Sequence, residues 1–258
     1  MKRSTFLRYL GAGALTTLGL HHSVTAPTAT AQGAGLTIQW FGHTSALFTG
    51  DGQRILVNPF RALGCTAGYR EPVPAVDFVL MSSRLLDEGS PSPNLPGNPR
   101  ILFQAGAYTL SSRRYEGIAV PHDRLEGRRF GMNVVWKWQQ AGINILHMGG
   151  AAGPIGLEER ILMGQPDIAF VPVGGGPKAY NAEEALAAIR ALNPKIVVPT
   201  HYRTAAADGN ACDIDGLDTF LNLVPPEQVT RIGGQTLTLT AANLPTSGPR
   251  FYVFRDPV

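Results

Sequence analysis

The chain has 258 residues, 44% hydrophobic and 16% charged, which is enough for one large domain with a full core. Its formal charge is +3, but Lys2, Arg3 and Arg8 fall in the first 31 residues, which carry no acid; without them 22 − 3 = 19 basic residues face 19 acidic ones. A neutral mature chain has no electrostatic footprint for nucleic acid, so that class of partner is set aside.

Residues 1–31 read as an export signal, with a basic start, a modest apolar run from Leu10 to Leu20 and a small-x-small site at Ala29-Thr30-Ala31. The run is too short and too rich in Gly and Thr to span a bilayer, so membrane contact is expected only during export. Lys2-Arg3-Ser4-Thr5-Phe6-Leu7-Arg8 looks like a twin-arginine signal with Lys in the first place, which leaves the route, Tat or Sec, open. Cleavage near Ala31 would leave residues 32–258 as a single periplasmic or extracellular domain. Export permits a disulfide. Cys65 and Cys212 lie far apart in sequence, however, and read more readily as unpaired small core residues.

Leu36–Phe41 and Ala46–Thr49 have strand character, and Asp51-Gly52 is a two-residue hairpin signal leading to a return strand at Arg54–Val57. Phe78–Met81 is a short apolar run suited to a buried strand. It opens into the loop Ser82-Ser83-Arg84-Leu85-Leu86-Asp87-Glu88-Gly89, with two adjacent carboxylates. Ser90–Pro99 carries four prolines and cannot be a helix interior. Short strands are expected at Arg100–Phe103, Gly117–Val120, Val134–Trp138 and Ile143–His147. Asp167–Val173 reads as another, followed by the turn Gly174-Gly175-Gly176, which lacks the Lys-Ser/Thr of a phosphate-binding loop. Asn181 and Glu184 form a capping-box pattern, Ala185, Leu186, Ile189 and Leu192 form the apolar face of a helix, and Pro194 ends it. Lys195–Thr200 is the next strand and His201 opens its loop. A short helix is expected near Asp215–Leu223, then closing strands at Val229–Ile232 and Thr236–Thr240.

These blocks, in this order, resemble the metallo-β-lactamase fold, in particular the group similar to ascorbate-6-phosphate lactonase, over about residues 36–204. Gly42-His43-Thr44-Ser45 is similar to the family's Gly-His-x-Ser opening, and Asn58-Pro59-Phe60 to its Asp-Pro-Phe. Ser83 to Glu88 stand where the family has His-x-His-x-Asp-His, with all three histidines replaced. His122 matches a first-site ligand and His201 a second-site ligand. Gly150 stands at the position of the carboxylate that bridges two metals, and His147 matches a family residue that is not a ligand.

The resemblance implies an α/β fold, an αββα sandwich of two mixed sheets with helices outside and the motif loops at one edge. It also implies metal-dependent hydrolysis, which needs three or four N, O or S donors and an open position for water. The matched donors fall short. Ser83, Leu85 and Gly150 supply no ligand of the original kind. Asp87, Glu88 and His201, with His122 as a fourth donor, are the remaining candidates, suited to no metal or one weakly held Zn²⁺ or Mn²⁺. Binuclear zinc is not expected. His43 and Asn58 read as supporting residues behind the site. With no cation between them, Asp87 and Glu88 should repel, raising one pKa. A plain solvated loop at Asp87-Glu88 is the simpler alternative, and a Ser83 nucleophile a weaker one, since no Gly-x-Ser-x-Gly elbow is present.

Two functions therefore stay open. One is a degenerate, non-catalytic member binding a small molecule in the old pocket. The other is a mononuclear metal-dependent hydrolase of a lactone, ester or phosphate-type substrate. The sequence names neither substrate nor oligomeric state.

Overall fold

The computed structural model describes residues 35–257. The expected export signal lies outside the described residues. The strands are β1 (Leu36–Gly42), β2 (Ser45–Gly50), β3 (Gln53–Val57), β4 (Phe78–Leu80), β5 (Arg100–Leu102), β6 (Gly106–Leu110), β7 (Arg113–Pro121), β8 (Met132–Gln140) and β9 (Ile143–His147). After helix α1 (Leu157–Met163) come β10 (Ile168–Pro172), α2 (Ala182–Leu192), β11 (Ile196–Thr200), α3 (Leu217–Leu221), β12 (Val229–Arg231), β13 (Thr236–Leu239) and β14 (Arg250–Val253).

They form two mixed sheets, a six-stranded one in the order β13-β1-β2-β3-β4-β5 and an eight-stranded one in the order β12-β14-β11-β10-β9-β8-β7-β6. The hairpins pair antiparallel, as in β1–β2–β3 and β6–β7–β8–β9, whereas β9, β10, β11 and β14 pair in parallel. This is the expected sandwich. Residues of both sheets share one apolar core. Phe48 of β2 meets Trp138 of β8 edge-on at 5.0 Å and Phe170 of β10 at 5.1 Å. Every residue of β10 and β11 is buried, which explains why these strands read as continuous apolar runs rather than alternating ones.

Local chemistry sets the connections. Asp51 and Gly52 adopt φ 52° and 73°, the left-handed pair that a two-residue hairpin turn requires. Helix α2 starts on a true capping box: Asn181 Oδ1 accepts from Glu184 N at 2.9 Å and Glu184 Oε2 accepts from Asn181 N at 2.9 Å. Ser90–Pro99 forms no helix, as its prolines require.

The structure adds α1, β6 and β14 to the elements foreseen. It corrects one expectation: Cys65 and Cys212 form a disulfide across a separation of 147 residues. They stay buried beside Ile214, so their apolar setting was anticipated but their pairing was not. Nothing in a linear spacing shows that two loops meet.

Candidate functional site

The candidate residues come from loops that follow strands. The β1–β2 turn carries His43, β4 hands on to Ser82–Glu88, and β7 ends beside His122. β9 leads into Gly149-Gly150, β10 into Gly174–Lys178, and β11 into His201. These loops touch. His201 N donates to His43 O at 3.2 Å, Gly174 N to His201 O at 2.9 Å, and Gly150 N to Asn133 Oδ1 at 2.9 Å. Three site residues hold left-handed backbone without being glycine: His43 at φ 52°, Asn58 at 48° and His201 at 52°. Such strain persists only where surroundings enforce it, and it gathers at functional sites.

Asp87 and Glu88 are adjacent in sequence but face different partners. Glu88 is fully buried; its Oε1 accepts from Ser83 Oγ at 3.0 Å and meets His122 Nε2 in a short contact. The opposite ring nitrogen of His122 donates to the Lys178 carbonyl at 2.7 Å. Both nitrogens thus face acceptors, the arrangement that a protonated imidazole satisfies. Burial alone would push the Glu88 carboxyl up. The charge and hydrogen bond of His122, with Lys178 behind, outweigh burial and hold it well below the usual range. His122 shifts the other way: burial lowers it, but Glu88 prevails and raises it. The expected repulsion between neighbouring carboxylates is therefore corrected for Glu88, because two cationic side chains stand against the pair.

Asp87 is claimed by Lys178, whose Nζ donates to Oδ2. His43 Nε2 lies 4.0 Å from the same oxygen, too far for a hydrogen bond. His43 and His201 are buried with ring centroids 4.4 Å apart, and their four ring nitrogens have no partner. Burial pushes both below the ordinary histidine value, His201 the further, so they are neutral. Glu88 Oε2 and Asn58 Nδ2 are also buried and unpartnered, while Asn58 Oδ1 accepts from Ser82 N at 2.7 Å.

Of the replaced positions, Ser83 gives its hydroxyl to Glu88 and receives Leu85 N at 3.2 Å. No imidazole is hydrogen-bonded to it, so the base that a serine nucleophile needs is not in contact. Leu85 is half-buried. Gly150 is the most telling. A Cβ there would lie 2.2 Å from His122 Cε1 and 2.9 and 3.0 Å from the two Glu88 oxygens. The Glu88–His122 pair has closed over the space that a side chain at 150 would enter.

This arrangement does not fit a two-metal centre. His122 is committed to Glu88, Asp87 to Lys178, and the bridging position cannot hold a side chain. Among the described residues, no three His, Cys, Asp or Glu side chains are grouped to hold an ion.

The open space is a cleft of about 240 Å³ lined by Asp87, Lys178, His201, Arg129 and Asp213, with Cys65 in its wall. A larger cavity of about 480 Å³, between Tyr180 and the alanines of α2, lacks Asp87, His122 and His201. Of the candidate residues, Asp87 and His201 line the smaller one. Sequence reading missed Lys178. The available signal was a lysine two residues beyond a glycine turn that ends a buried strand, where α/β folds place functional groups.

A family model described as the beta-lactamase superfamily domain matches residues 37–201. A UPF0173 metal-dependent hydrolase of Thermoplasma acidophilum is 26% identical over 190 residues, which cover 66% of this chain and 84% of that protein. One from Methanoregula boonei is 26% identical over 211 residues, covering 67% and 86%. A Thermotoga maritima structure described as a Zn-dependent hydrolase of the metallo-beta-lactamase superfamily superposes with a TM-score of 0.68 at 26% identity, covering 85% of this chain and 98% of that one.

Proposed function

This chain belongs to the beta-lactamase superfamily, and we propose that it is an exported member of the metal-dependent hydrolase branch whose two-metal site has lapsed. In this reading the old pocket binds a small molecule and does not turn it over. The observation that carries the reading is the Glu88–His122 pair packed against Gly150, which uses a first-site donor and fills the bridging position at once. A cleft of about 240 Å³ falls below the usual 300–1,000 Å³ of drug-sized sites, so the ligand is a small metabolite. Its rim offers both signs of charge, Arg129 and Lys178 against Asp87 and Asp213. The Cys65–Cys212 bridge supports delivery to an oxidising compartment.

A second reading, a mononuclear metal-dependent hydrolase, draws on the unpartnered nitrogens of His43 and His201 and the free Oε2 of Glu88. Those atoms would supply donors, with Asp87 added if Lys178 released it. Metal analysis of the purified mature protein, with hydrolysis assays on generic lactones, esters and phosphodiesters, separates the two. The first reading expects less than one equivalent of metal and no chelator-sensitive turnover. Chelator-sensitive turnover by the wild type would overturn it.

A further inference from the structure

Lys178 is the least exposed of the three lysines among the described residues. It is 16% exposed and its partner Asp87 14%, whereas the lysine of the Lys195–Asp167 pair is 45% exposed. An exposed ion pair contributes little, but a mostly buried one is costly to assemble unless its geometry is enforced. Here the enforcement is visible. Arg124 donates from Nη1 to Gly176 O at 2.8 Å and from Nη2 to Ala179 O at 2.9 Å, gripping the loop on both sides of Lys178. The same guanidinium is anchored by Nε to Glu184 Oε1 at 2.8 Å. His122 donates to the carbonyl of Lys178 itself, and Tyr180 N donates to Ala151 O at 2.9 Å. Four contacts thus fix the backbone from which the ammonium reaches Asp87. Beside that pair lie two buried histidines with no partner on any ring nitrogen: His43, whose Nε2 is 4.0 Å from the same Asp87 oxygen, and His201, whose ring centroid is 4.4 Å from that of His43 and which lines the cleft with Lys178. Imidazole nitrogens and a carboxylate are donor types that a divalent ion takes, although as they stand they are not grouped to hold one.

We infer that Lys178 is a resident cation that takes the place of metal charge at Asp87 and keeps a divalent ion out of the pocket. The inference rests on the lapsed-site reading and deepens it: the site is closed by the protein's own ammonium and not merely short of ligands. A lysine ammonium is a compact point charge with three donors, so it can satisfy one carboxylate oxygen where a cation would sit. It offers no Lewis-acid vacancy and binds no activatable water. Substitution of Lys178 should therefore restore affinity for metal without rebuilding any histidine.

The test uses thermal unfolding of the mature chain with Zn²⁺ or Mn²⁺ alone and with chelator, in wild type, Lys178→Met, Lys178→Arg and Lys178→Met/Asp87→Asn. The expected result is no metal response in wild type or Lys178→Arg. Lys178→Met should gain roughly 5–10 °C in Tm at about 100-fold excess over Kd, and the gain should vanish with Asp87→Asn. Should Lys178→Met be destabilised by its unpaired carboxylate, the metal should restore it. Failure of either ion to raise its Tm overturns the inference and leaves the lapsed-site reading standing. A metal response in wild type overturns both.

Discussion

His147 is held by two hydrogen bonds that require a neutral ring. Its Nε2 faces the Thr44 carbonyl at 3.0 Å, and its Nδ1 accepts from Gly149 N at 3.2 Å. Burial pushes its pKa down to about 4, against an ordinary value of 6.5. A depressed folded pKa means that the unfolded chain binds the extra proton first, so the contribution is complete above pH 6.5 and is lost as pH falls toward 4. The shift corresponds to about 3 kcal/mol. Urea titrations at pH 7 and pH 4.5 should show that loss in wild type, and His147→Gln should flatten the slope between them. Glu88 and Gly150 give the second residue-scale prediction. Glu88→Gln leaves His122 facing a neutral amide in a buried site and should cost about 3–5 kcal/mol. Gly150→Ala should also destabilise, because the new methyl meets His122 and Glu88 inside contact distance. Denaturant midpoints of the two variants and their double mutant should be non-additive, since both act on one pair. Additive losses would separate Gly150 from the Glu88–His122 contact.

Among the elements, α2 and the loop before it bear most directly on the site. The capping box fixes the start of the helix, and its Glu184 also anchors Arg124, which grips the loop carrying Lys178. Asn181→Ala should therefore cost about 1 kcal/mol of stability. Arg124→Ala should leave the helix formed but loosen residues 176–179, read as faster amide exchange at Ala179 and Tyr180. Unchanged exchange there would show that His122 and Tyr180 suffice to hold the loop. The cap itself was legible in the sequence because its two partners are three residues apart. Arg124 was not, because its loop joins Glu184 across 60 residues.

For the whole molecule, the disulfide closes a 147-residue loop and ties the segment before β4 to the one after β11, in the wall of the cleft. Replacing both cysteines by alanine should lower stability by about 2–5 kcal/mol, measured by denaturant unfolding of the oxidised and variant proteins. Export should appear in the mass of the native protein as a new start at Gln32, and an intact Met1 terminus in a soluble cytoplasmic fraction would refute it. The sequence by itself determined the strands other than β6 and β14, the hairpin turn, the helix with its cap and the order of blocks that defines the sandwich. All of these follow from patterns of a few residues: apolar periodicity, glycine in left-handed turns, proline as a stop. It also located His43, His122 and His201 in loops after strands, and it showed Ser83, Leu85 and Gly150 as departures. Only the tertiary structure decided what Asp87 and Glu88 do. Adjacent in sequence, they turn to partners 91 and 34 residues away, Lys178 and His122. Pairings at such separations leave no periodic trace along the chain, because they depend on how packed sheets bring loop ends together.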